Sequence, residues 1–153
     1  MSSGVNSRIP AAIRAIHDAY AASGALVIVG PGATDDPADN GLVLIGVDDA
    51  DEVSYAHAAT GAQAWAQLGG RFRDETFAVH CAAVAWNGDG DSLAAMDAAF
   101  ALLGVLESAI VNDPTLGALL YSKGITAVGL KFVTDNNGAA AHVLFDVECR
   151  TRI

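Results

Sequence analysis

Basic side chains are what this chain most conspicuously lacks. Eight Lys and Arg stand against eighteen Asp and Glu, a formal net charge of −10. Gripping a nucleic-acid duplex takes clustered Lys and Arg on phosphates, so the composition argues against that class of function. The layout sharpens the point, because no Lys or Arg occurs between Arg14 and Arg71. That interval holds Asp18, Asp35, Asp36, Asp39, Asp48, Asp49, Asp51 and Glu52. It reads either as a solvated acidic loop region that keeps the protein soluble, or as a surface that must not stick to nucleic acid passing nearby.

Cysteine is nearly absent too. Cys81 and Cys149 are the only two, 68 positions apart and in apolar strand-like runs, so neither zinc-site nor Cys-x-x-Cys spacing exists. They read as buried free thiols acting as small hydrophobes; a bridge would require neighbouring strands. No apolar run approaches the roughly 18 residues of a membrane helix, and the N-terminus shows no apolar signal core. With 52% hydrophobic and 17% charged residues over 153 positions, the expectation is one folded cytosolic domain.

What is present is a shape. Arg71 to Asn112 runs from a charged root (RFRDE) through a long apolar strand to Trp86, an acidic turn (NGDGD) and a long Ala-rich helix. A strand predicted over Phe72–Trp86 is about three times the usual five or six residues, which suggests a hairpin arm. Asp91 is placed to cap the helix. Leu93, Met96, Phe100, Leu103, Leu106 and Ile110 form its expected core stripe, opposite the short side chains of Asp97, Ala101, Gly104 and Ser108. Asp113-Pro114 ends it.

Elsewhere, Ile9, Ile13, Ile16 and Tyr20 predict a helix over Arg8–Ala22 with Ser7 at its start. Ala25–Val29 reads as a short buried strand and Leu42–Val47 as a second. Thr60–Gln67 is ambiguous between strand and helix; we take strand, because Leu68-Gly69-Gly70 then turns into the long one. Two closing strands, Ile125–Thr134 and Ala139–Arg152, flank Asn136-Asn137-Gly138, which suits the positive φ of a tight hairpin turn. The expected fold class is α+β: a mixed or antiparallel sheet with a long β-hairpin arm, backed by two helices.

Few residues suggest chemistry. VIVGPGATDD looks like a phosphate loop, but it lacks the Gly-Lys-Ser/Thr ending and its acids would repel a phosphate. The acidic groups Asp35/Asp36/Asp39 and Asp48/Asp49/Asp51/Glu52 match no EF-hand spacing. His17, His57, His80 and His142 are scattered, without a metal or general-base pattern. No catalytic residue, metal or cofactor is expected. Arg71, Arg73, Asp74 and Glu75 have two readings: ion pairs with a neighbouring subunit, or charges guarding a hairpin edge against unwanted pairing. Ala101, Gly104 and Ser108 either admit a second subunit closely or form an ordinary solvent face. Gly104 favours a packing reason, since glycine costs a helix interior about 1 kcal/mol relative to alanine.

The order of elements, with RDETFAVHCAAVAWNGDGD, the helix exit NDPTLGA and the closing VECRTRI, resembles the tail-terminator proteins of long-tailed bacteriophages, particularly those of actinobacteriophages. That resemblance spans nearly the whole chain and carries no catalytic signature. It implies a virion protein, assembled in the host cytoplasm, of which six copies form a ring. The ring would halt polymerisation of the tail-tube protein and present a surface to the head-side neck or connector protein. DNA would pass through its lumen without specific binding, and no membrane would be involved. The acidic interval from Asp35 to Glu52 would then line the lumen or rim. The alternatives are another neck or tail-tube subunit such as a head-closure adaptor, and a small ligand-binding or hydrolase domain with a polar pocket.

Overall fold

Two long strands with one apolar side each decide the architecture. In the computed structural model, which describes residues 7–30, 41–47, 58–65, 73–113, 124–135 and 138–152, the order is α1 (Ile9–Ala22), β1 (Leu26–Val29), β2 (Leu42–Ile45), β3 (Ala59–Trp65), β4 (Arg73–Asn87), α2 (Ser92–Asn112), β5 (Gly124–Asp135) and β6 (Gly138–Arg152). Among the described residues, these six strands form one sheet in the order β1-β2-β4-β6-β5, with β3 also on β4. Only β1 and β2 are parallel; every other pairing is antiparallel. The fold is therefore α+β with a mixed sheet, as the sequence predicts.

The segment Ala59–Trp65 is a strand, and with β4 it makes the long hairpin expected. The length of β4 also serves a second end. One edge pairs with β6 from Asp74↔Arg152 to Asn87↔Ala139. The other edge is divided, with β3 on Arg73–Val79 and β2 on Cys81–Val84. A strand of ordinary length could not join both partners to the sheet.

Alternation sorts the side chains by face. Val43, Ile45, Phe77, Val79, Cys81, Val143, Phe145, Val147 and Cys149 form one buried cluster with Ile16 and Tyr20 of α1 and Leu103, Leu106 and Ile110 of α2. Both helices thus cover the same face. On the opposite face Leu42, Leu44, Val47 and Ala82 make a smaller cluster.

Three details depart from the sequence reading. The α2 core contacts are Ala95, Ala99, Leu103, Leu106 and Ile110, whereas Leu93 and Phe100 are exposed. Alanines let the helix sit close over small sheet residues such as Ala83, Ala85 and Ala141, and close packing outweighs the pull of the larger side chains. Secondly, β1 is an edge strand with Leu26 and Val29 exposed, where a buried strand was expected. Thirdly, α2 is 21 residues long and an 18-residue window of it has a mean hydropathy of 1.8, long and apolar enough by length and composition to cross a membrane, although no such run was expected. Its buried face is built into the core instead.

Turn chemistry holds the ends. Asp91 accepts from the backbone N–H of Leu93 and Ala94, capping α2 as predicted. The β5–β6 hairpin closes on Asp135↔Gly138. Gly138 has φ +135°, and a Cβ there would meet Asn87 O at 2.3 Å, so this corner requires glycine twice over.

Candidate functional site

Of the charged root residues, Arg71 lies outside the described residues, as do Asp35, Asp36, Asp39, Asp48, Asp49, Asp51 and Glu52. Arg73 and Asp74 open β4 and are half-buried. Glu75 departs from the expectation of a charge offered to a neighbour. It is 3% exposed, on the helix-covered face, and its carboxylate is used inside the chain. Oε1 accepts the Arg8 backbone N–H at 2.7 Å. Oε2 accepts the Ser7 hydroxyl at 2.6 Å and the Gln63 amide at 3.0 Å. Ser7 Oγ in turn accepts the Ile9 N–H at 3.2 Å, but the N-cap position is Arg8 and not the Ser7 expected, since the helix begins at Ile9. A carboxylate at a helix N-terminus satisfies orphan donors and meets the positive end of the helix dipole. Arg73 Nη1 donates to Gln63 Oε1 at 2.8 Å, so Arg73 and Glu75 belong to one network joining β4, β3 and α1.

The short side chains of α2 lie where the sequence put them, facing outward. Ala101 and Ser108 are exposed and Gly104 is half-buried. A Cβ built on Gly104 meets nothing within 4 Å, so nothing in the described chain explains the glycine.

Sequence reasoning missed a polar row across the face opposite the helices. His80 on β4 stands directly across from Asp146 on β6, and its Nδ1 lies 2.7 Å from Asp146 Oδ1. Its Nε2 lies 3.3 Å from Thr60 Oγ1 on β3. With Nδ1 protonated toward the carboxylate, Nε2 is left to accept from the threonine hydroxyl, the connectivity of a hydroxyl–imidazole–carboxylate relay. The pair borders a cavity of about 320 Å³ lined in part by Val47, Gly129 and Leu144. Beside it, β5 shifts register between Thr126 and Val128. No sequence spacing signals the relay, because His80 and Asp146 meet only through the β4–β6 register.

The cysteines are free and buried. Their strands are neighbours, but Cys81 faces Phe145 while Cys149 faces Phe77. Four residues of offset at about 3.3 Å each puts them about 13 Å apart along the ladder, beyond disulfide reach. Burial pushes both thiols up to about 12, so they are protonated and poor nucleophiles at neutral pH. Tyr20 is fully buried, its hydroxyl has no hydrogen-bond partner among the described residues, and burial raises its phenol well above the ordinary range. Among the described residues no group of three or more His, Cys, Asp or Glu could hold a metal ion.

The largest unexplained feature is apolar. Eight large hydrophobic side chains are exposed among the described residues. Leu93, Phe100 and Val111 lie on α2 and Val128, Leu130 and Phe132 on β5, while Leu26 and Val29 lie on β1. The strands concerned, β5 and β1, are the two ends of the sheet. No protein-family model and no curated protein sequence matches this chain.

Proposed function

We propose that this protein is a structural subunit that assembles with its own copies into a closed ring, in the manner of the tail terminators of long-tailed bacteriophages. The ring would end tail-tube growth and join the tail to the head-side neck. The observation that carries this reading is β5. It is a terminal strand of 12 residues, and Val128, Leu130 and Phe132 stand exposed along it. A long edge strand with an apolar flank is a surface that soluble monomers avoid and assembling subunits use. The low count of bases agrees with a lumen through which DNA slides without being held.

Negative-stain electron microscopy with light scattering tests it. Closed rings support the terminator, and long tubes would reassign the chain to the tube subunit. Monomers at assembly concentrations would overturn the reading.

The Thr60–His80–Asp146 relay favours a second reading as a small hydrolase, with His80 as general base. Hydrolysis of an activated ester that disappears in His80→Ala would support it; equal background rates in both proteins would end it.

A further inference from the structure

Resting on the ring reading, we propose which two surfaces meet: the α2–β5 side of one copy seats in the α1–β1 groove of the next. Exposed apolar residues stand at both ends of the sheet. Leu130 and Phe132 pair with Val143 and Ala141, whose side chains belong to the helix-covered core, so they project on the helix side of the sheet. Val29 pairs with Ile45 of the same core and projects on that side too. Leu130 and Phe132 therefore lie on the same face as Val29, at opposite ends of the sheet, while Leu26 pairs with Leu42 of the other face.

Helical periodicity connects Phe100 to the β5 end. Leu102 lies against β2, since a Cβ on Gly41 would come within 2.8 Å of its Cδ1. The opposite flank of α2 then turns toward β5. It carries Leu93, Asp97, Phe100, Gly104, Glu107 and Val111, at the alternating four- and three-residue spacing of a helix-packing seam. Among the described residues nothing lies within 4 Å of a Cβ built on Gly104.

At the other end, Ile9, Pro10, Ile13, Arg14, His17 and Val29 line a groove of about 500 Å³. The charges of the two surfaces are opposite. The α2 seam is acidic, through Asp97 and Glu107, and α2 contains no Lys or Arg. Among the described residues lining the groove the one formal charge is Arg14; Arg8 is exposed at the head of α1, and exposed Asp18 sits against His17 at 3.2 Å. An acidic seam cannot pair with its own copy without repulsion, which disfavours a two-fold contact. It fits the Arg14 side of a neighbour's groove, and a contact between two different surfaces repeats around a ring until it closes.

The test is a pair of charge-reversed variants. Asp97→Lys/Glu107→Lys leaves both meeting surfaces positive, and Arg8→Glu/Arg14→Glu leaves both negative. Neither should form rings alone, and an equimolar mixture should restore rings of alternating composition, read by mass photometry and electron microscopy. Circular dichroism of each variant should match wild type, since the exchanged side chains are exposed. Wild-type rings together with rings from either variant alone would overturn the proposed contact while leaving the ring reading intact. Monomeric wild-type protein would overturn the ring reading itself, and this contact with it. A variant that fails to fold is replaced by Phe132→Glu, which should also abolish rings; rings from it would overturn the proposal.

Discussion

Glu75 accepts the backbone N–H of Arg8 at 2.7 Å, so a carboxylate near the root of β4 fixes the first turn of α1. The two residues are 67 positions apart, and through this contact helix and sheet share one terminus. Removing the carboxylate leaves part-buried donors without their acceptor, a loss of about 1–3 kcal/mol for such groups. Glu75→Ala should therefore lower unfolding stability by about 2 kcal/mol in urea denaturation. Glu75→Gln should recover part of it, because an amide oxygen still accepts one bond. An alanine variant as stable as wild type would show that the cap is replaced by water.

Tyr20 should behave in the opposite sense. Its hydroxyl is buried with no hydrogen-bond partner among the described residues, so Tyr20→Phe removes a desolvation cost and keeps the ring packing. Stability should stay equal or rise, by up to about 1 kcal/mol. A fall of that size in thermal melting would mean that the hydroxyl has a partner in solution.

The thiols set an alkaline limit. Cys81 and Cys149 ionise near 9 in the unfolded chain, whereas burial holds them protonated up to about 12 in the fold. Between those values the unfolded chain has released protons that the fold retains. Their contribution to stability is thus complete below pH 9 and is lost as pH rises toward 12. Urea midpoints taken at about pH 8 and about pH 10.5 should fall for wild type and fall less for Cys81→Ala/Cys149→Ala. Equal slopes would assign the alkaline loss to other groups.

Gly104 bears differently on folding and on the proposed assembly. Gly104→Ala should raise the stability of the isolated subunit by about 0.5–1 kcal/mol, since helix propensity improves and a Cβ meets nothing. Gly104→Leu should also fold, yet prevent ring formation by filling the seam. Rings of normal size from the leucine variant would remove Gly104 from the contact.

These predictions use features that differ in how far the sequence disclosed them. Strand alternation in β4 and β6, the Asp91 cap and the β5–β6 hairpin were legible because each depends on local periodicity or turn chemistry. The core face of α2 was misread by a rotation of the helix, since Ala95 and Ala99 carry little hydrophobic weight yet pack where space is least. Of the site, the outward placement of Ala101, Gly104 and Ser108 was legible, and the engagement of Glu75 with α1 was not. The His80–Asp146 pair shows the same limit. Alternation places each residue off the core-facing side of its strand, but only the register between strands sets which rung each occupies.

The divided edge of β4 has a consequence for the chain as it is made. Asp146 follows its partner His80 by 66 residues, which at ribosomal speeds of about 5–20 residues per second is a delay of about 3 to 13 seconds. Throughout that interval the 15-residue β4 can hold β2 and β3 on one side while its other side waits for β6. The nascent chain thus passes through a stage with its central strand open to strands of other chains. Copies emerging side by side on one message would meet at that stage, before either has made its β6.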